Sequence, residues 1–273
     1  MKKFFAVLLA TVLMLSCVAV FAACDKKDDN KTTADTTAAD TTADTAPVEG
    51  EKAVLKMGTN AYFQPYEFYE GEKIIGIDAE IAAAIAEKLG MTLEIVDMEF
   101  DSIITAVNAG SVDFGMAGMT VTEDRLKEID FSVSYANGVQ AIIVKEDSAI
   151  AHVDDLYAEG ASYKVGVQLG TTGDIYATDD FGKDNVTTYS NGNEAVLALK
   201  GGSVDCVIID NEPAKALVAA NPGLKILETT YANEDYAICV KKGNSDLLDK
   251  INAAIVDLTE DGTIAGIVAK YIK

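Results

Sequence analysis

Past residue 52 the apolar positions of the chain fall into two alternating rhythms. Residues 53–58 form a short apolar run of the kind a buried strand needs. After Asp78, placed to cap a helix, Ile81, Ala84, Ile85 and Leu89 recur at helical spacing until Gly90 stops them. Residues 93–96 read as the next strand. Asp101 is placed to cap a second helix bearing Ile103, Ile104 and Val107, closed by Gly110, and residues 112–116 make a third strand. Strand, helix, strand, helix, strand predicts a mainly parallel sheet covered by helices on both faces.

The rhythm then starts again. Lys164-Val165-Gly166-Val167 echoes Lys56-Met57-Gly58-Thr59, and Gly202-Ser203-Val204-Asp205 repeats Gly110-Ser111-Val112-Asp113, each time between a helix and an apolar strand. A spacing this long is not that of a solenoid and fits two similar α/β lobes. Sheets of this kind bind ligands beyond the C-terminal ends of their strands, so two of them facing each other predict a site in the crevice between. Residues 245–272 read as two helices broken at Asp261-Gly262.

A different kind of chain precedes these patterns. Lys2 and Lys3 give a positive start, residues 4–23 are almost wholly apolar, and Ala22-Ala23 closes the run with small residues before Cys24. That is the form of a secretory signal, not of a folded element. The small residues and the charged run after Cys24 resemble a bacterial lipoprotein cleavage site, with residues 1–23 removed and a lipid placed on Cys24. Ser16-Cys17 is a weaker position of the same kind, and an uncleaved membrane helix also fits the length. Residues 24–51 hold varied Thr-Thr-Ala-Asp repeats and no aromatic residue, and read as a disordered tether.

Composition narrows the partners. A net charge of −22, from 44 acidic against 22 basic residues, repels nucleic acid and anionic membrane surfaces. Arg125 is the only arginine among those 22. Its rigid guanidinium fork grips a carboxylate in a way lysine cannot copy, although an arbitrary arginine is as readily a surface residue. The single histidine, His152, lies beside Asp154 and Asp155 and reads as surface. The adjacent acids Asp179-Asp180 and Glu234-Asp235 read the same way. No histidine pair or Cys-x-x-Cys offers a metal site, and no motif calls for a cofactor. Cys206 and Cys239 each lie in an apolar, strand-like run, either as buried thiols or as a disulfide pair.

Several stretches in order resemble one family. Residues 54–60 lead into Gln64-Pro65-Tyr66-Glu67-Phe68. Gly76-Ile77-Asp78 follows, then residues 115–125 ending at Arg125, then Val207-Ile208-Ile209-Asp210-Asn211, and last Lys241-Lys242-Gly243-Asn244-Ser245. From residue 52 to 273 the chain is similar to the bacterial extracellular solute-binding proteins of family 3, the polar-amino-acid receptors of ABC importers. The resemblance implies a two-lobe type II periplasmic-binding fold with two hinge crossings, near Asn137 and Ala232. Residues 52–136 and 233–273 would form lobe 1, and residues 140–231 lobe 2. It implies that Arg125 holds the α-carboxylate of a free amino acid, helped by backbone N–H groups near Thr120 and by the helix start at Thr171 and Thr172. Asp210 would take the α-ammonium with the Gly118 carbonyl and the Thr120 hydroxyl. Phe63 and Phe100 would stack on the ligand side chain, and Asn60 and Gln168 would meet its tip. Basic-amino-acid binders usually carry aspartate where this chain has Asn60, which argues against lysine. Glutamine, another neutral polar residue, or arginine stacked between rings remain. The partners implied are a polar amino acid, an ABC permease with its ATPase, and the outer face of the cytoplasmic membrane through the lipid, with the protein monomeric.

Two other functions use this fold. A dehydratase-like enzyme would need acid–base groups, and a buried carboxylate such as Asp210 is the one such group that the sequence offers. A ligand sensor would pass closure to a kinase or channel.

Overall fold

The computed structural model describes residues 52–228 and 231–272. The expected signal peptide, the lipid site at Cys24 and the tether at residues 24–51 lie outside them. The chain opens with β1 (Val54–Thr59) and a small antiparallel sheet of β2 (Tyr62–Phe63), β3 (Glu67–Glu70) and β4 (Lys73–Ile75). It continues through α1 (Ile77–Lys88), β5 (Thr92–Asp97), α2 (Ile103–Ala109), β6 (Phe114–Gly115), the single-turn helix α3 (Arg125–Glu128) and β7 (Ile129–Phe131). The long strand β8 (Ala136–Lys145) then leads into β9 (Val165–Gln168), α4 (Thr172–Phe181), β10 (Val186–Tyr189), α5 (Gly192–Gly201), β11 (Cys206–Asp210), α6 (Asn211–Ala220) and β12 (Leu224–Ile226). The return runs through β13 (Ala232–Tyr236) and β14 (Cys239–Lys241) to α7 (Ser245–Glu260) and α8 (Thr263–Tyr271).

Two larger sheets result, in the orders β5-β1-β6-β14-β7 and β10-β9-β11-β8-β12, with β13 added to β8. Three strands of each sheet are parallel, as expected. The remaining strands, β14 and β7 in the first sheet and β8, β12 and β13 in the second, make antiparallel pairs. The expectation of mainly parallel sheets therefore needs correction. β8 and β14 follow the two chain crossings, so they arrive from the other sheet and enter in the opposite sense. β8 and β13 pair with each other from Gln140–Ala232 to Ala136–Tyr236, which makes the two crossings one antiparallel ribbon.

The repeated Gly-Ser-Val-Asp motif builds the same device twice. Gly110 and Gly202 close α2 and α5 in left-handed conformation, at φ 75° and 77°. The Ser111 and Ser203 N–H groups donate back into the last turn, to Ala106 and Ala198, each at 2.9 Å. The carboxylates of Asp113 and Asp205 then accept from the Lys56 and Lys164 N–H groups, each at 2.7 Å, pinning the first parallel strand of each sheet. Beneath the helices lie Leu55, Met57, Phe114 and Met116 in the first sheet and Ile142, Val165, Val167 and Ile208 in the second, all essentially inaccessible to solvent. Cys206 and Cys239 are buried free thiols, so the disulfide alternative is excluded.

Both aspartates expected to cap helices do something else. Asp78 lies one position inside α1, behind Gly76, and its carboxylate turns away from the helix end. Asp101 sits within a 3-10 turn, Phe100–Ser102, that runs into α2 without a side-chain cap.

Candidate functional site

The C-terminal ends of β1, β6, β9 and β11 and the starts of α3 and α4 converge on a narrow cavity, with about 430 Å³ of space between atoms when its open mouth is included. All ten side chains or backbone positions expected to meet a ligand line it: Asn60, Phe63, Phe100, Gly118, Thr120 and Arg125 before the first crossing, and Gln168, Thr171, Thr172 and Asp210 beyond it.

Arg125 is 7% exposed and begins α3. Its own N–H donates to the Thr122 hydroxyl at 3.2 Å, so Thr122 stands at the start of that turn. The guanidinium donates through Nη1 to the Thr120 carbonyl at 2.7 Å and through Nη2 to the Gly170 carbonyl at 3.0 Å, joining the two sides of the cleft. The Phe100 ring lies 5.4 Å from the guanidinium carbon. Burial pulls the arginine below its ordinary range, and the Glu234 carboxylate is the main opposing charge. Across the cleft Thr171 caps α4, accepting from the Asp174 N–H at 3.3 Å, and Thr172 enters the cavity where the first helical N–H groups have no partner within the helix. Asn60 and Gln168 meet each other, the glutamine amide donating to Asn60 Oδ1 at 2.9 Å.

Gly118 needs its glycine: φ is 53°, and a Cβ there would stand 2.6 Å from the Phe63 ring. Its N–H donates to Asp78 Oδ2 at 2.8 Å, and the Tyr135 hydroxyl donates to the same oxygen at 2.7 Å. Asp78 therefore fixes a cavity loop instead of capping α1. Glu67 stands directly across β2–β3 from Phe63, is wholly buried, and also lines the cavity. Neither of its carboxyl oxygens has a donor, and Asp78 faces it closely enough to share a proton. Burial first, then Asp78, pushes Glu67 well above the usual carboxylate range; burial likewise lifts Asp78 to about 6.

Asp210 ends β11. Gln140 Nε2 donates to its Oδ2 at 2.7 Å and the Tyr236 hydroxyl donates to its Oδ1. The same Gln140 nitrogen donates to Glu234 Oε2 at 2.9 Å. Glu234 is 5% exposed, so reading it as a solvated surface acid is wrong; Asp235 beside it is exposed. Strand alternation carries the signal: Glu234 and Tyr236 point inward from β13, while Asn233 and Asp235 point out. Burial, then the Glu234 charge, pushes Asp210 well above its ordinary range.

The family model for bacterial extracellular solute-binding proteins, family 3, matches residues 55–273. The arginine-binding extracellular protein ArtP of Bacillus subtilis is 32% identical over 232 residues, covering 82% of this chain and 88% of that protein. The solved structure of an ancestral arginine-binding protein bound to arginine is 42% identical, with a TM-score of 0.75, over 82% of this chain and all of that one. The ancestral amino-acid-binding protein AncCDT-1, a precursor of cyclohexadienyl dehydratase, is 32% identical with a TM-score of 0.73, over 81% and 96%.

Proposed function

The chain belongs to the bacterial extracellular solute-binding proteins of family 3, and from that membership we propose that it captures arginine between its lobes by the contacts below. It is the amino-acid-binding component of an ABC importer and works outside the cytoplasm. Lobe 1 (residues 52–136 and 233–273) and lobe 2 (residues 140–231) close about the crossings near Asn137 and Ala232. Closure stabilises the ligand because each lobe supplies part of the site.

A free amino acid brings a carboxylate and an ammonium on one carbon, and burying both needs partners for both. Arg125 takes the carboxylate, with Thr120 and the α4 start at Thr171 and Thr172. Asp210 takes the ammonium with Gly118 and Thr120. Phe63 and Phe100 stack on the side chain, and Asn60 and Gln168 meet its polar tip. The observation that favours arginine over glutamine is Glu67: a fully buried acid on the cavity wall that meets no donor in the protein except the proton it shares with Asp78. A guanidinium supplies two parallel donors and a charge to such a group.

The protein binds its ligand and does not transform it: its buried acids stand beside Arg125 and amide donors that suit a clamp. It acts as a monomer held by a lipid on Cys24 at the outer face of the cytoplasmic membrane, and delivers its ligand to a permease driven by a cytoplasmic ATPase. Binding of arginine and of glutamine to Glu67→Gln tests the ligand assignment. Arginine affinity is expected to fall roughly tenfold or more, the scale of a lost hydrogen bond to a charged group, with glutamine little changed. An equal loss for both ligands contradicts it.

A further inference from the structure

Glu234 is left over once each charge of an amino acid has a partner. It is nine-tenths buried, one of its oxygens has no donor, and a single amide nitrogen, Gln140 Nε2, holds it 2.9 Å away while holding Asp210 at 2.7 Å. Two carboxylates on one donor nitrogen repel each other strongly unless a cation or a proton lies between them. Their proximity is built into one sheet. Asp210 pairs with Gln140 across β11–β8, and Glu234 pairs with Gly138 across β8–β13, so the two acids stand on the two strands that flank β8, beside the crossings.

We propose that Glu234 is the second acid of the ammonium subsite: in the ligand-free protein a proton stays on Asp210, facing Glu234 across Gln140, and the incoming ammonium displaces that proton to solvent. The exchange is balanced, one cation entering as one leaves, so the pair and its bound cation together carry the same net charge before and after. This inference rests on the reading of Asp210 as the ammonium partner. The groups around the pair agree with it. Tyr236 from β13 donates to Asp210, and Tyr176 from α4 stands toward Glu234. Tyr66 and Glu67 from the small sheet add no positive charge. Arg125 is the one cation among the described groups that act on the pair, and it is committed to carbonyls and to the ligand carboxylate. Burial and the neighbouring acid push Asp210 upward, the direction that keeping the proton requires. By linkage, a ligand that displaces a proton binds more weakly as the pH falls.

Arginine binding measured by titration calorimetry at pH 6, in two buffers of different ionisation enthalpy, counts the protons released. Wild type is expected to release a substantial fraction of a proton. Glu234→Gln removes the acid at nearly constant shape; it is expected to bind within about tenfold of wild type and to release fewer protons, because Asp210 then keeps only the part of its upward push that burial supplies. Glu234→Asp, which restores an acid, is expected to restore release, and Glu67→Gln is expected to retain the share that belongs to this pair. Wild-type binding without proton release, or equal release by Glu234→Gln, overturns the exchange and leaves the amino-acid reading standing. Absence of any binding heat for arginine and for the other amino acids overturns both.

Discussion

Arg125 meets two demands with one side chain. Its guanidinium ties the Thr120 carbonyl to the Gly170 carbonyl across the cleft and leaves further donors for a carboxylate. Arg125→Lys keeps the charge and loses the fork. Amino-acid affinity is expected to fall by roughly a hundredfold or more, since hydrogen bonds between charged groups are worth about 1.5–3 kcal/mol each. The thermal midpoint of the ligand-free protein should change little, and near-normal binding would refute the carboxylate role. This residue was legible in the sequence because it is the only arginine in the chain. Glu67 and Glu234 were not. Nothing local separates a buried acid from a solvated one when both sit beside polar neighbours, and their burial depends on strands that arrive from elsewhere. For Glu234 the alternation along β13 was the available clue, and the adjacent Asp235 obscured it.

At the scale of elements, strands and helices were legible because their apolar spacing is regular and glycines mark their ends. The Gly-Ser-Val-Asp repeat showed more, since both copies fold into the same helix stop and strand pin. Asp78 was misread because an acid after glycine at a helix start looks like a cap whether its carboxylate turns to the helix or across to another chain segment. Here it crosses to Gly118 and ties α1 to the cavity loop. That placement has a pH signature. Burial raises Asp78 from an ordinary value of 3.8 to about 6, so the folded state holds its proton more tightly than the unfolded chain does. Its contribution is therefore full below pH ~4 and is lost as the pH rises through 6, a change of up to about 3 kcal/mol. Denaturant unfolding of the ligand-free protein at several pH values should show wild type losing stability relative to Asp78→Asn across that interval. A constant difference between the two would contradict the assignment.

For the whole molecule, two sheets joined by the β8–β13 ribbon place their strand ends face to face, and the cavity lies where that topology puts ligands. The two-lobe plan could be read from the repeat, whereas the ten cavity residues were assembled from family resemblance, because no spacing rule brings Asn60 to Gln168 or Arg125 to Gly170. The antiparallel strands escaped notice because a strand's direction depends on which lobe the chain has just left. The claim that most needs a direct answer is that this cleft binds a polar amino acid, arginine foremost. Thermal unfolding of protein first stripped of ligand by unfolding and refolding, against the twenty amino acids with ornithine, citrulline and cystine, gives it. A ligand at a hundredfold over its dissociation constant adds about 2.7 kcal/mol to stability. The largest shift is expected with arginine, with smaller or no shifts for acidic and apolar amino acids; an unmoved midpoint across the whole panel would contradict the account.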